Sequence, residues 1–388
     1  MSTPARLPPA GEDGPVADPS VLFVNQGAMG TSILGLAASE AAFQQGLEGT
    51  GLRTAYLRLP PPSAAERVAA VDVPLLRGAD LDLHALRWHL VESARGRRAA
   101  QRGVRNTPVT DVHVVSHTAG LLLASLARRR RVWLSTDATI RQWDGFGVWR
   151  PVRPWTQAAL TPSVALERRA FRYAAGVLTW SRWAADGVLE SCPEARVDVL
   201  HPGVDLQRWC PQPGAAARVG PLRVLFVGGR FREKGGEELL TALAPRLGRD
   251  VVVDVVTGDA VPARAGVAQH RIGHADPALV QLYRDADVFA LPSFGDSLPW
   301  TVLEALAVGI PVVSTDVGGT PEVLGRSGER GLLVGRHDVA GLRAAIDALL
   351  ADPARRRRMG VAGRSHVEEH YDVHRQGRAL ASLLREGR

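Results

Sequence analysis

Short apolar runs alternate with longer amphipathic stretches along the first half of the chain. Residues 20–25 read Ser-Val-Leu-Phe-Val-Asn, a run that ends at Gln26-Gly27 and predicts a buried parallel strand. Similar runs recur at 111–115, 131–134 and 176–179. The intervening stretches predict helices at 32–46, 121–129 and 166–175. Strands that alternate with helices are typical of a doubly wound α/β sheet.

The alternation stops between His201 and Gly214, where proline and glycine cluster, and restarts at Leu222. Apolar runs in the second half predict strands at 222–227, 251–256, 288–291 and 311–314. Helices are predicted at 237–247, 279–285, 301–308, 338–351 and 373–385. The second half therefore repeats the α/β plan of the first.

This pattern predicts two Rossmann-like domains that face each other across a cleft. The expected segments are a flexible tail at 1–19, a first domain at 20–200, a linker at 201–220, a second domain at 221–365 and a terminal helix at 366–388. Ligands of open α/β sheets bind outside the carboxyl ends of the strands. Candidate functional residues are therefore sought in the loops that directly follow strands.

Composition agrees with this plan. The chain has 388 residues, of which 45% are hydrophobic and 22% charged, as is usual for soluble globular proteins of two domains. Two cysteines exclude a disulfide scaffold and a cysteine-rich metal site. No run of 18 apolar residues occurs, and the first 20 residues lack the apolar core of a signal peptide. We therefore expect a cytoplasmic protein.

The net charge of +7 favours affinity for polyanions. Arginines are dense between Arg95 and Arg131, but no zinc-finger or helix-turn-helix pattern accompanies them, so we expect no nucleic-acid partner. Peripheral contact with an anionic membrane at the inner face is left open. Among the 47 basic residues, Lys234 is the only lysine. Its compact ammonium suggests a role that a guanidinium fork cannot fill, and chance is the alternative.

Lys234 lies in a glycine-rich loop that reads Gly228-Gly-Arg-Phe-Arg-Glu-Lys-Gly-Gly236 after a predicted strand. Glycines such as Gly228 and Gly229 let the main chain approach a ligand, and the following helix directs its N–H groups at an anion. Lys234, with Arg230 or Arg232, would add full positive charge. A glycine turn with exposed basic side chains is the alternative. The loop is not a Walker A motif.

A second block begins after the strand predicted at 288–291 and runs to residue 313. Asp296 lies in its loop and Glu304 in the first turns of the next helix, so both carboxylates can accept bonds from hydroxyl groups. A third loop, with Gly318 and Gly319, follows the strand predicted at 311–314.

Together these blocks resemble the donor-binding domain of the family-4 retaining glycosyltransferases of the GT-B fold. The resemblance covers about 198–350 and rests on the Gly-Gly-x-Phe-x-x-Lys-Gly-Gly loop, on Asp296-x7-Glu304 with aspartate at the first acidic position, and on His201-Pro-Gly-Val-Asp205. It implies a terminal helix that packs back on the N-terminal domain. It also implies that Lys234 and Arg230 hold the donor diphosphate.

By the same resemblance, Glu304 takes the ribose hydroxyls and Asp296 the hydroxyls of the transferred sugar. The N–H groups of Ser297 and Leu298 would support Asp296, and the loops at Gly228, Gly229, Gly318 and Gly319 would line the donor. Aspartate is one methylene shorter than glutamate, which bears on the sugar that is used.

In the N-terminal half, Gly27 and Gly30 form the candidate phosphate or acceptor loop after the first strand. His117 and Asp137 follow the next predicted strands, and Asp137 stands where many family members carry a histidine that meets the sugar. A structural loop histidine and a helix cap or Asx-turn are the respective alternatives.

The resulting hypothesis is a retaining hexosyltransferase that uses a nucleotide diphosphate sugar, with neither cofactor nor metal. The Asp-x-Asp triplets at 80–82 and 285–287 are not expected to bind metal, since neither has a histidine partner nearby. A catalytically silent nucleotide-sugar-binding protein and a GT-B epimerase are the alternatives. Donor nucleotide, sugar and acceptor (glycan, lipid or small metabolite) stay open.

Overall fold

The computed structural model describes residues 20–25, 41–70, 84–148, 152–201, 203–212, 220–326 and 328–386. The chain divides into two compact units. Unit 1 comprises Met1–Gly30, Leu47–His201 and Gly377–Arg388, and unit 2 comprises Thr31–Gly46 and Pro202–Gln376. A six-stranded parallel sheet lies at the centre of each unit, which confirms the predicted α/β class.

Unit 1 carries strands β1 (Ser20–Asn25), β2 (Arg53–Arg58), β3 (Asp111–Val115), β4 (Arg131–Thr136), β5 (Gly176–Thr179) and β6 (Val197–Val199). Their order in the sheet is β2-β1-β3-β4-β5-β6. The helices are Ala64–Ala69, His84–Asn106, His117–Gly120, Ala124–Ala127, Ile140–Gly145, Pro154–Ala159, Thr161–Tyr173 and Arg182–Ser191. Two short helices therefore replace the single helix predicted at 121–129.

Unit 2 carries β7 (Leu222–Val227), β8 (Val251–Val256), β9 (Val267–His270), β10 (Val288–Leu291), β11 (Val312–Thr315) and β12 (Gly331–Val334), in the order β12-β11-β10-β7-β8-β9. Its helices are Gly236–Leu243, Pro277–Asp285, Trp300–Val308, Thr320–Leu324, Val339–Ala351 and Pro353–His370, and residues 41–46 are also helical.

The order of each sheet reverses direction at one point. In unit 2 this point lies between β7 and β10, which pair as neighbours although β8 and β9 intervene in sequence. In unit 1 it lies between β1 and β3. Loops on the two sides of such a point diverge and leave a crevice, which is where open α/β sheets bind ligands.

A helix at Val373–Glu386 has its first residues in unit 2 and its remainder in unit 1. Within unit 1, Arg131 donates to the carbonyl of Leu384 at 3.0 Å, and Arg385 donates to the carbonyl of Thr50 at 2.7 Å. Leu380 and Leu384 are fully buried. These contacts confirm the expectation that the C-terminal helix packs on the N-terminal domain.

Candidate active site

Three loops meet at the carboxyl edge of the unit 2 sheet, and they follow β7, β10 and β11. The loop after β10 lies against the loop after β7, because the Phe294 N–H donates to the Glu233 carbonyl at 3.0 Å. The loop after β11 joins them, because the Gly319 N–H donates to the Ser297 carbonyl at 2.6 Å. All three sequence blocks assigned to the donor are therefore brought together.

Glycine is required at two points where these loops touch. Gly235 has φ of +78°, and a Cβ there would lie 2.1 Å from the carbonyl oxygen of Pro292. Gly318 has φ of +55°, and a Cβ there would lie 2.0 Å from the carbonyl oxygen of Asp296. Only a residue without a side chain fits either position, so main chain packs directly on main chain under the site.

At the centre of this edge Lys234 and Asp296 form an ion pair, with Nζ 2.5 Å from Oδ2. The lysine side chain is 24% exposed and the aspartate side chain 12%. The stem of Lys234 passes close to Gly228, where a Cβ would lie 3.2 Å from the lysine Cβ and Cγ. The base of the lysine side chain is therefore confined beside the main chain at Gly228, and the ammonium is held by the carboxylate.

The neighbouring arginines behave differently from each other. Burial lowers the pKa of Arg230, while the charges of Glu233 and Asp259 oppose that shift. Because the usual pKa of arginine lies far above neutral pH, the guanidinium of Arg230 stays protonated. Arg232 is 76% exposed and lies 3.3 Å from Glu237. Arg230 is thus the more buried of the two arginines, and its role as the second cation stays a prediction.

Phe231 anchors the loop after β7 to the core of unit 2. Its ring packs edge-on against Phe226 at 5.5 Å and is 3% exposed, and its N–H donates to Asp259 at 2.8 Å. Ser297 and Leu298 are each 3% exposed, so they help to fix the main chain beside Asp296.

Glu304 is 2% exposed, and both of its carboxylate oxygens have partners. His274 Nε2 lies 2.9 Å from Oε1, and the hydroxyl of Tyr283 donates to Oε2 at 2.9 Å. Burial, with the charge of Glu304 as a further cause, raises the pKa of Tyr283 well above its usual range. The tyrosine therefore stays a neutral donor, and the carboxylate is fixed before any ligand arrives.

A cavity of about 80 Å³ reaches Glu304 and His274. Trp209, Trp300 and Arg208 also line it. The Arg208 guanidinium lies 5.1 Å from the Trp209 ring and donates to the carbonyl of His274. Sequence reasoning missed His274, Tyr283 and the residues that line this cavity. Had β9 been predicted, the Ile-Gly-His turn that follows it would have indicated His274 as a candidate.

In unit 1, Gly27 and Gly30 lie outside the described residues. The structure favours the structural alternative for His117. Its side chain is buried, with Nδ1 2.7 Å from the Thr136 hydroxyl and Nε2 2.9 Å from Glu167 Oε1. Glu167 is itself fully buried. The expected acceptor role of His117 therefore has no exposed ring atom to support it.

Asp137 follows β4 and is half-buried. The indole nitrogen of Trp143 lies 3.5 Å from its Oδ1, at the upper limit for a hydrogen bond. Asp137 thus lies at the carboxyl edge of the unit 1 sheet, directly after β4.

Within the ranges that the structure describes, no group of three His, Cys, Asp or Glu side chains is arranged to hold a metal ion. Asp287 accepts a hydrogen bond from the N–H of Arg223 at 2.8 Å, so it stabilises the start of β7. The triplet at 80–82 lies outside these ranges. No helix in the described part of the chain is long and apolar enough to cross a bilayer.

Comparison with known proteins finds a family match within the C-terminal half. Residues 221–352 match the family described as "Glycosyl transferases group 1". The glycogen synthase of Mycobacterium tuberculosis is 31% identical over 245 residues, which are 59% of this chain and 58% of that protein. The chain thus spans somewhat more than half the length of this curated relative.

Solved structures extend the likeness to nearly the whole chain. Sucrose-phosphate synthase from Thermosynechococcus elongatus superposes with a TM-score of 0.69 at 18% identity, over 95% of this chain and 98% of that one. Anabaena Alr3699/HepE, solved in complex with UDP-glucose, gives 0.66 at 16% identity, over 95% and 100%. At such identities the likeness shows a shared fold.

Proposed function

Because residues 221–352 form a group 1 glycosyl transferase domain in a chain of GT-B fold, we propose that this protein is a retaining hexosyltransferase. It transfers a hexosyl group from a nucleotide diphosphate sugar to an acceptor hydroxyl, without a metal ion. The observation that carries the proposal is the Lys234–Asp296 ion pair at the meeting point of the three loops.

The ion pair fits the two halves of a nucleotide sugar. Lys234 would face the diphosphate and Asp296 a hydroxyl of the sugar. Because their charged atoms are 2.5 Å apart, phosphate and sugar hydroxyl must bind side by side, with the breaking bond between anomeric carbon and phosphate oxygen at that junction. The aspartate, with its shorter side chain, draws the sugar close to the lysine.

Departure of the nucleoside diphosphate develops negative charge, and the site is arranged to stabilise it. Lys234 and Arg230 supply two full positive charges. The helix Gly236–Leu243 begins two residues after the lysine and adds the dipole of its N-terminus. This charge complement would replace a divalent cation. Glu304, fixed by His274 and Tyr283 beside the small cavity, would accept the ribose hydroxyls.

The donor is proposed to be a nucleotide sugar because HepE, which shares the fold, is solved with UDP-glucose. Retention of configuration would follow if the leaving phosphate takes the acceptor proton on the face from which it departs. Asp137 would lie near the acceptor or sugar. The acceptor could be a glycan, a lipid or a small metabolite. A cytoplasmic setting, where nucleotide sugars are made, belongs to the same proposal.

The test is a panel of nucleotide sugars assayed for release of nucleoside diphosphate, with water and with candidate acceptors, in the presence and absence of EDTA. Proton NMR of the product gives the anomeric configuration. We expect one donor to be consumed with retention and no loss in EDTA. Thermal stabilisation by a nucleotide with no release from any donor would instead identify a silent binding protein. Inverted product, or activity lost in EDTA, would refute the corresponding part of the proposal.

A further inference from the structure

A group of arginines lies at the amino-terminal edge of the unit 1 sheet. Arg128 lies in the turn that leads into β4, and Tyr173 ends the helix that leads into β5. Since β4 and β5 are parallel neighbours, their starts share one edge. His117 and Asp137 follow the opposite ends of β3 and β4. This edge is therefore not the one at which an open α/β sheet binds its substrate.

One face of the helix Thr161–Tyr173 forms most of this surface. Ala165, Arg168, Arg169, Arg172 and Tyr173 recur at spacings of three and four residues, which places them along one side of the helix. They line an open cavity of about 250 Å³. All five residues are exposed. We call Arg128, Arg168, Arg169, Arg172 and Tyr173 the basic cluster.

Arg128 contacts the tyrosine of the basic cluster directly. The Arg128 guanidinium lies 4.9 Å from the centroid of the Tyr173 ring and donates to its hydroxyl at 3.3 Å. That hydrogen bond and the charge of Arg128, with contributions from Arg172 and Arg169, lower the pKa of Tyr173. Three positive charges therefore act on the tyrosine, and Arg168 lines the same cavity.

Among the described residues, Glu194 is the carboxylate that approaches this region. Its Oε1 lies 3.6 Å from Arg172 Nε and 3.9 Å from Arg168. Both separations exceed hydrogen-bond length, and the arginine side chains are 62% and 58% exposed. One glutamate at this range leaves most of the positive charge of four arginines to be neutralised from outside the chain.

We propose that the basic cluster binds phosphoryl groups of a second ligand, separate from the nucleotide sugar. Guanidinium groups match phosphate oxygens in bidentate geometry, and several of them around one cavity favour a ligand with more than one phosphoryl group or an array of them. The source is either phosphate headgroups of an anionic bilayer or a soluble polyphosphorylated molecule. Binding there would place such a ligand on the edge of the unit 1 sheet remote from its strand carboxyl ends.

The test compares two triple variants that lose the same charge. Arg168→Gln, Arg169→Gln and Arg172→Gln remove three arginines of the basic cluster. Arg249→Gln, Arg357→Gln and Arg358→Gln remove three exposed arginines of unit 2 as the control. Circular dichroism and nucleotide-sugar turnover of both variants should match the wild type, which shows that the chain is folded and that the donor site is intact.

Two probes distinguish the sources. Sedimentation with vesicles of phosphatidylglycerol and phosphatidylcholine, against phosphatidylcholine alone, reports a bilayer. Calorimetric titration with inorganic tripolyphosphate reports a soluble ligand. If a bilayer is the source, the cluster variant should lose roughly 100-fold in vesicle partitioning, about fivefold for each arginine, while the control variant loses far less.

Loss of tripolyphosphate binding in the cluster variant, without vesicle binding by the wild type, would support the soluble source. The proposal is overturned if the wild type binds neither probe. It is equally overturned if both triple variants lose binding to the same degree, because general positive charge would then account for the effect.

Discussion

Replacing Lys234 with methionine removes the ammonium while it retains most of the side-chain volume. Two unit charges about 4 Å apart at an effective dielectric of about 20 interact by about 4 kcal/mol. Asp296 already neutralises part of the lysine charge at 2.5 Å, so the net loss should lie near the lower bound for one preorganised donor, about 2.7 kcal/mol. We therefore expect kcat to fall about 100-fold.

The assay is the release of nucleoside diphosphate from the preferred donor under saturating conditions. Arg232→Met is the matched control, because this cation lies two residues away, is 76% exposed and should leave kcat within about twofold. Lys234→Arg should also lose about tenfold or more, since the stem is confined by Gly228 and a guanidinium cannot occupy the same point. A Lys234→Met enzyme within about fivefold of wild type would refute the electrostatic role.

Three further changes test the surroundings. Tyr283→Phe removes the hydroxyl that donates to Glu304 and should lower the local unfolding free energy by about 1.5–3 kcal/mol, measured by amide hydrogen exchange of the helix that carries Glu304. Gly318→Ala places a Cβ against the Asp296 carbonyl and should abolish most donor turnover. Burial lowers the pKa of His113 to about 3, so only the unfolded chain takes up its proton below pH 6.5. Stability should fall by about 1.6 kcal/mol between pH 6.5 and 5 in urea unfolding, and His113→Leu should flatten that slope.

The controls for these changes come from the same structure. Gly258→Ala adds a methyl group where nothing lies within 4 Å, so it should retain activity. Additive effects of Tyr283→Phe and Glu304→Gln on hydrogen exchange would contradict the coupling of the two groups. An unchanged pH slope in His113→Leu would show that another group titrates.

The strands that sequence reasoning found and those it missed differ in their place in the sheets. The eight predicted strands are the inner strands of the two sheets, and the four missed ones, β2, β6, β9 and β12, are the edges. Inner parallel strands are covered on both faces and have continuous apolar runs, whereas the edge strands β2, β6 and β9 are partly exposed and lack them. The fourth edge strand, β12, reads Gly-Leu-Leu-Val and was missed although it has such a run. Arg53–Arg58, with one buried residue among six, shows the contrast.

The long helix His84–Asn106 was missed for a different reason. Its contact face uses small residues, and a Cβ on Gly96 or Gly103 would lie 2.1 Å from Ala119 or 2.4 Å from Leu22. A face of glycine and alanine gives no helical repeat of large apolar residues. The hydrophobic pattern of the sequence therefore shows only an arginine-rich stretch there.

At the candidate site, glycine loops and charged residues next to strand ends could be predicted because they are local in sequence. Lys234 and Asp296 were proposed as candidates in this way, although their direct contact, between residues 62 apart, was not predicted. The support of Glu304 by His274 and Tyr283 depends on which strands and helices become neighbours. The order of strands in the sheet decides which elements become neighbours, and no local sequence pattern indicates that order.

The helix at Val373–Glu386 imposes an order on biosynthesis. A ribosome releases residues 1–201, with most of unit 1, first, but the part of unit 1 from Gly377 onwards emerges only after all of unit 2. Domains that form during translation normally mature from the N-terminus. We therefore expect unit 1 to remain incomplete, without the buried side chains of Leu380 and Leu384, until the synthesis of unit 2 has ended.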